Sequence, residues 1–203
     1  MSRTTVQPRF ETSNSILLLV DHQTTTLDWV KSLPQSTVIA SCRVLARMGV
    51  EFGMSLFFTT TMEEYVGPTI PDLQQVAPDA FAARFKRGGV LSCFDDPDLV
   101  AALKATGKTN LILCGLTTDI CLFWAARDAI RLGYTVSVVA DACGTMSTLG
   151  DSTTFDRLRD LGATVTVTNQ IVTELCNDFG SPDGLKAQKI MADEIISKLN
   201  NPA

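Results

Sequence analysis

The chain contains a single histidine, His22, among its 203 residues. Structural and catalytic zinc sites draw several ligands from histidines or from closely spaced cysteines. The six cysteines include no C-x-x-C pair, so we expect no metal ion and no other cofactor. Any Ser-His-Asp or Cys-His arrangement would have to use His22.

The sequence also lacks basic blocks and long apolar runs. Its net charge is −5 and its pI is about 4.8, which argues against nucleic acid or an anionic membrane surface as the main partner. No run of 18 apolar residues indicates a membrane span. The amino terminus has no apolar signal-peptide core, so the six cysteines are expected to be reduced thiols in the cytoplasm.

Short apolar runs alternate with segments of helical periodicity along the whole chain. The predicted strands are Ser15–Val20, Met54–Thr60, Phe81–Lys86, Leu111–Cys114, Tyr134–Ala140 and Ala163–Val167. The predicted helices cover Pro34–Ala46, Asp72–Val76, Asp95–Ala105, Thr118–Leu132, Ser152–Leu161, Val172–Asn177 and Lys186–Leu199. Continuously apolar strands separated by helices predict a parallel sheet of five or six strands between two helix layers, a Rossmann-like α/β/α fold, within one domain over residues 1–203.

The most informative stretch runs from Cys114 to Cys121. An apolar strand precedes it and a helical pattern follows, so Cys121 is predicted in the first turn of a helix at the carboxyl end of a strand. Parallel sheets place their binding crevice at that edge. The helix dipole contributes about 0.3–1 kcal/mol to a charge there, and one pKa unit corresponds to about 1.36 kcal/mol. A reactive Cys121 therefore needs a neighbouring cation or base.

Three other strand ends deliver charged residues to the same edge. They are Asp21, the cluster Arg84–Arg87, and Asp141. A cation lowers the pKa of a thiol, and a carboxylate can accept the thiol proton and return it to a leaving group. A carboxylate, a cation and Cys121 that meet at one edge therefore predict a nucleophilic site.

Each candidate also has an ordinary structural interpretation. Cys121 could be a small buried hydrophobic residue, and Asp21 and Asp141 could close turns. His22 could contact a ligand, but a structural or supporting role is favoured, because its side chain should point away from that of Asp21. Gln23 and the aromatic residues Phe57, Phe58, Phe94, Phe123 and Trp124 are candidates for a substrate pocket, or else for the core.

Four segments together resemble the isochorismatase-like cysteine hydrolases, specifically their YcaC-like branch. They are Leu17–Gln23, Lys86–Phe94, Cys114–Cys121, and Asp128–Ala129 with Val138–Ala142. The third segment is similar to the family's Gly-aliphatic-x-Thr-x-x-Cys nucleophile motif. The resemblance implies a catalytic triad of Asp21, a cation from Lys86 or Arg87, and Cys121. It also implies a cis peptide bond between Leu116 and Thr117, with the amides of Thr117 and Cys121 facing an oxyanion.

The chain departs from the family pattern at the cation. The family generally has lysine about six residues before the aromatic residue, where this chain has Gly88. The YcaC-like spacing of seven selects Arg87, with Lys86 as the second candidate. The chain also cannot rebuild the histidine-rich metal site of the family's nicotinamidases with one histidine.

The resemblance implies a hydrolase that cleaves a C–N bond in a small amide or carbamoyl compound through a thioester. It also implies a homo-oligomer. Three alternatives stay open at this point: a non-catalytic binding protein on the same fold, a redox-sensing role for Cys121, and a vinyl-ether hydrolase of the isochorismatase type.

Overall fold

The computed structural model describes residues 9–197 and contains a six-stranded parallel sheet. The strands are β1 Ser15–Val20, β2 Ser55–Thr61, β3 Phe85–Arg87, β4 Asn110–Gly115, β5 Thr135–Val139 and β6 Thr164–Thr166. Their order is β3-β2-β1-β4-β5-β6. Every residue of the central strands β1 and β4 is buried, as expected for strands covered on both faces. The predicted parallel α/β/α fold is confirmed.

Helices cover both faces of the sheet. They are α1 Thr24–Asp28, α2 Gln35–Glu51, α3 Glu63–Val66, α4 Pro71–Val76, α5 Pro78–Ala82, α6 Pro97–Ala105, α7 Phe123–Arg131, α8 Thr148–Asp160, α9 Thr168–Cys176 and α10 Pro182–Met191. Helix α2 packs with α9 and α10, and α7 packs with α8. Within residues 9–197, no helix has the length and apolar character that a membrane crossing requires.

The strand order changes direction between β1 and β4. The chain moves outward from β1 to β2 and β3, and then returns to place β4 against the other side of β1. Such a switch point opens a crevice at the carboxyl ends of the two strands. Gly115 ends β4 there, and a Cβ on it would lie 2.8 Å from the Val20 carbonyl oxygen. A glycine is therefore needed where the two strand ends approach.

Two of the predicted element boundaries were wrong for reasons that the structure shows. The predicted strand from Phe81 starts only at Phe85, because Pro78 and Asp79 begin helix α5; proline and an acidic residue both favour a first helical turn. Helix α9 starts at Thr168 rather than Val172, since the Asp141 carboxylate accepts hydrogen bonds from the Thr168 amide and hydroxyl, both at 2.8 Å. Asp141 therefore acts as a helix cap.

Two predicted helices differ in their internal form. The first five residues of the segment predicted as a helix over 118–132 form a π-helical turn, Thr118–Leu122. The final predicted helix is α10 followed by a second π-helical turn, Ala192–Ile196. Its last two predicted residues, Lys198 and Leu199, lie outside the described residues. Short 3₁₀ turns occupy Cys93–Asp95 and Ala140–Ala142.

Candidate active site

Asp21 directly follows β1 and turns the chain into the crevice. It has a left-handed backbone conformation, with φ of 55°, which aspartate tolerates better than most residues. Its amide donates to the Thr59 carbonyl at 3.1 Å, and its carbonyl accepts the Thr26 hydroxyl at 2.7 Å. These bonds fix the residue, and its side chain is completely buried.

Arg87, at the end of β3, forms a bidentate ion pair with Asp21. The Arg87 Nη1 donates to Asp21 Oδ1 at 2.7 Å, and Nη2 donates to Oδ2. The Thr59 hydroxyl donates to Oδ1 at 2.8 Å. Only 4% of the Arg87 side chain is exposed. Burial opposes the charged form, but the hydrogen bonds and charge of Asp21 prevail and raise the pKa of Arg87.

Lys86, the second candidate for the cation, does not reach Asp21. Its side chain is 56% exposed, and its Nζ lies 2.9 Å from Glu63. Arg84 pairs with the same Glu63 carboxylate at 2.7 Å. Neighbouring residues of a strand point to opposite faces, so only one of Lys86 and Arg87 could face the crevice. Of the two predicted cations, only Arg87 pairs with Asp21, which corrects the prediction that Lys86 could take this position.

Cys121 lies in the π-helical turn after β4, with 8% of its surface exposed. The side chains of Asp21 and Arg87 both interact electrostatically with its thiol. Burial and the Asp21 carboxylate raise the pKa of Cys121 to about 12, although Arg87 acts in the opposite direction. A thiol with this pKa is ionised in about one molecule in 10⁵ at pH 7, so Cys121 needs a base to react.

The segment that carries Cys121 has a distinct backbone geometry. The peptide bond between Leu116 and Thr117 is cis. The Thr118 amide donates to the Gly144 carbonyl at 3.0 Å, and the Leu122 amide to the Thr117 carbonyl at 3.3 Å. Asp21, Arg87 and Cys121 thus meet at the edge where β1 and β4 diverge.

Comparison with known proteins identifies the family of the chain. The isochorismatase domain profile matches residues 15–170. YcaC of Escherichia coli K12, described as a probable hydrolase, is 32% identical over 172 residues, which are 84% of this chain and 82% of that protein. The chain belongs to the isochorismatase family. It is a hydrolase of the YcaC-like branch of that family.

Solved structures of YcaC proteins show the same fold. The Escherichia coli protein, described as an octameric hydrolase of unknown specificity, superposes with a TM-score of 0.86 at 29% identity, covering 97% of this chain and 96% of that one. YcaC from Pseudomonas aeruginosa, solved with hexane-2,5-diol and covalent acrylamide, gives 0.85 at 26% identity with the same coverage.

The predicted pocket residues are placed differently in this isochorismatase-family fold. The Gln23 side chain is buried and bound to backbone, since its Nε2 donates to Thr61 and Gly67 carbonyls and its Oε1 accepts the Thr61 amide at 2.8 Å. These bonds tie the ends of β1 and β2 to helix α3. The prediction that Gln23 contacts substrate is therefore corrected, because each of its polar atoms has a partner.

Most of the aromatic candidates pack in the core. The Phe57 ring lies 6.2 Å from Phe85, and the Phe94 ring lies 6.1 Å from Tyr134, the residue before β5. Phe58 and Phe123 are buried. Trp124 differs, because it borders an open cleft of about 530 Å³ that is also lined by Leu91 and Arg127. The pocket assignment of Phe94 is corrected, because its buried ring is stabilised by core packing, whereas Phe57 is half-buried and its assignment stays a prediction.

The sequence interpretation missed Thr59, which contacts Asp21, and Cys93, which lies near the site without contributing to the proposed reaction. The Thr59 hydroxyl orients the Asp21 carboxylate. Cys93 is buried, and its thiol interacts electrostatically with Asp21, Arg87 and Cys121. Burial raises the pKa of Cys93 above its ordinary value. The only sequence signal for Cys93 was its position within the segment that supplies Arg87.

His22 lies beside Asp21, but its ring points elsewhere. Its Nε2 is 2.9 Å from the Ala142 carbonyl, and the residue is buried. Burial lowers the pKa of His22 to about 4, although the Ala142 hydrogen bond and the Asp21 charge act in the opposite direction. The His22 ring is therefore directed at the Ala142 carbonyl and not at a substrate.

We expect the buried His22 to make the protein less stable below pH 6.5. The pKa of His22 is near 6.5 in the unfolded chain and near 4 in the folded chain. The contribution of neutral His22 to the free energy of unfolding is therefore fully present above pH 6.5 and decreases as the pH falls towards 4. The free energy of unfolding should decrease by about 2 kcal/mol between pH 7.5 and pH 5. Urea unfolding at a series of pH values measures this change.

The His22→Gln variant is the control, because glutamine can donate to Ala142 and does not titrate. His22 is the chain's one histidine, so the variant should lose the pH dependence above pH 5. Glu63 affects stability only below about pH 4.5. Burial raises its pKa, but hydrogen bonds from Arg84, Lys86 and Thr60 outweigh burial and lower the pKa to about 2. An equal loss in both proteins between pH 7.5 and 5 would contradict the assignment.

Proposed function

We propose that this protein is a cysteine hydrolase that cleaves the C–N bond of a small amide or carbamoyl compound. The observation that carries the proposal is the position of the Cys121 thiol beside an Asp21 carboxylate that is itself held by Arg87. A nucleophile next to a base, with the base oriented by a third group, is the general arrangement of covalent catalysis.

The first half of the reaction forms a thioester. Asp21 accepts the Cys121 proton while Sγ attacks the carbonyl carbon of the substrate. The carbonyl oxygen becomes an oxyanion, which accepts hydrogen bonds from the amides of Thr117 and Cys121. The Thr118 amide does not take part, because it already donates to Gly144. Asp21 then gives its proton to the departing amine.

The second half consumes water. Asp21 takes a proton from a water molecule, which attacks the thioester carbon, and Cys121 leaves with that proton restored. Arg87 stays charged throughout, because a guanidinium does not deprotonate in proteins. Its role is to hold the Asp21 carboxylate in place and to stabilise negative charge on sulfur. Amide and water are thus converted to acid and amine.

The acrylamide adduct of the Pseudomonas aeruginosa YcaC structure supports this proposal. Acrylamide is an electrophile that adds readily to activated thiols. It is also a small primary amide, similar in size to the proposed substrates.

Turnover of a substrate panel tests the proposed reaction. The panel contains small primary amides and N-carbamoyl compounds, with isochorismate as the vinyl-ether comparison. Ammonia or amine release from the first two classes supports the proposal. Release of pyruvate from isochorismate, with no amide turnover, would replace it with the vinyl-ether reaction.

The pH dependence of Cys121 alkylation tests the role of Asp21. We expect the rate constant for iodoacetamide to be nearly constant from pH 6 to 9, because Asp21 takes the proton. Direct ionisation of a thiol with a pKa of about 12 instead gives a tenfold increase per pH unit. Peptide mass spectrometry resolves Cys121 from the other five cysteines.

Asp21→Asn is the matched variant, since asparagine keeps the size of the side chain and an oxygen acceptor for Arg87. It should show the tenfold increase per pH unit and react about 10² times more slowly than wild type at pH 7. A wild-type protein with the same steep profile would show that Asp21 does not act as the base.

We also propose that the protein is a cytoplasmic homo-oligomer. The octameric state described for the Escherichia coli YcaC supports the oligomer. Exposed apolar side chains on the described surface, among them Tyr65 and Leu149, are compatible with subunit contacts.

A further inference from the structure

The turn Ala142–Thr145, which we call the clasp turn, connects two parts of the active site. It follows β5 and is buried along its length. The proposed base follows β1 and the proposed nucleophile follows β4, and both segments hydrogen-bond to this turn. The strand order β1-β4-β5 places the clasp turn on the far side of the β4 end from Asp21.

On one side, the clasp turn holds the segment that carries Cys121. The Thr118 amide donates to the Gly144 carbonyl at 3.0 Å. The Thr145 hydroxyl donates to Asp119 Oδ1 at 2.6 Å. Leu116 also pairs with Gly144 in a parallel bridge. These contacts flank Cys121 on its amino-terminal side, within five residues of its thiol.

On the other side, the clasp turn is held by the segment that begins with Asp21. His22 reaches across the β4 end to the Ala142 carbonyl at 2.9 Å. Farther along the chain, the Lys31 amide donates to the Thr145 carbonyl at 2.8 Å, and the Thr145 amide to the Ser32 hydroxyl at 2.9 Å. Of these hydrogen bonds, the one from His22 lies nearest to the proposed base, because His22 is the next residue after Asp21.

The tautomer of His22 follows from its partner. A carbonyl oxygen only accepts hydrogen bonds, so His22 Nε2 carries the proton and Nδ1 carries a lone pair. Within residues 9–197, Nδ1 has no hydrogen-bond partner and is buried. Burying an unpaired polar atom is unfavourable, so the ring is kept at a cost in stability. That cost is explained if the Nε2 bond has a function.

We infer that His22 is a positioning residue that aligns the Cys121 thiol with the Asp21 carboxylate through the clasp turn. The inference rests on the proposed function. His22 touches neither the reacting atoms nor the transferred proton in this scheme. It adds a link through the clasp turn to the direct bond between the Leu116 amide and the Val20 carbonyl at 3.0 Å, and so limits how far the residues that follow the two strands can shift. A displacement of about 1 Å at such a site can reduce a rate by about 10²-fold.

Three variants test the inference through the pH profile of Cys121 alkylation. His22→Leu removes the donor, and His22→Gln restores a donor at the position of Nε2. The control is Asn110→Leu, which breaks side-chain bonds to Arg9 and Asn14 at the opposite edge of the sheet. Because His22 titrates near pH 4, its own ionisation does not contribute between pH 6 and 9.

His22→Leu should lose the flat profile of the wild type and react at least about 10 times more slowly at pH 7. His22→Gln should keep the flat profile, with a rate within about threefold of the wild type. Asn110→Leu should lower the melting temperature and leave the profile unchanged.

A flat wild-type-like profile in His22→Leu would overturn the inference, and so would a profile in Asn110→Leu that is altered to the same extent. A steep profile already in the wild type would instead contradict the proposed function, so the two failures can be distinguished.

Discussion

Cys121→Ala is expected to lose at least about 10⁴-fold in amide turnover, because Cys121 is the proposed nucleophile and alanine cannot form the proposed thioester. The side chain is small and mostly buried, so alanine leaves the fold intact. Substrate binding should persist, since alanine only removes the attacking atom. Rapid quenching and peptide mass spectrometry should find an acyl adduct on Cys121 in the wild type and none in the variant.

Cys93→Ala is the matched control for this experiment. It removes another buried thiol that interacts with the same Asp21 and Arg87 charges. Because Cys93 has no part in the proposed reaction, its variant should retain turnover within about tenfold of the wild type. Equal losses in both variants would mean that the two thiols act together or that neither is the nucleophile.

Arg87→Met should destabilise the protein by about 3–5 kcal/mol, the largest stability effect expected for a single substitution here. The change leaves the buried Asp21 carboxylate without its cation. The carbonyls of Val90 and Leu91, 3.0 and 3.2 Å from the guanidinium, also lose their donor. Urea unfolding at pH 7.5 measures the loss.

Two further variants decide whether the buried charge is the cause. Lys86→Met alters the adjacent, exposed cation and should change stability by less than about 1 kcal/mol. The double variant Asp21→Leu/Arg87→Met removes both charges and should recover much of the loss, because paired apolar residues can replace a buried ion pair. A double variant as unstable as Arg87→Met would assign the effect to packing instead.

The choice between Lys86 and Arg87 shows where sequence inference ended. Both residues follow the same strand pattern, and the family spacing only ranked them. Register decides the matter, since Lys86 pairs with Thr60 and Arg87 with Thr61 in β2, and neighbouring residues face opposite ways. A one-residue change of register would exchange their positions.

Gln23 and Phe94 show a second limit. Both lie beside predicted catalytic segments, which made them candidates for substrate contact. Their side chains instead satisfy partners that are distant in sequence, the Thr61 and Gly67 backbone for Gln23 and the Tyr134 ring for Phe94. A local motif carries no information about such partners.

The sequence by itself determined the alternation of strands and helices, the parallel sheet, and the placement of Asp21 and Cys121 at strand ends, because hydrophobic periodicity and turn residues are local properties of the chain. Only the tertiary structure decided that Arg87 reaches Asp21, that Asp141 caps α9, and that His22 bonds to Ala142. Those contacts join residues 27 to 120 positions apart, and such pairings depend on strand order, register and side-chain direction together.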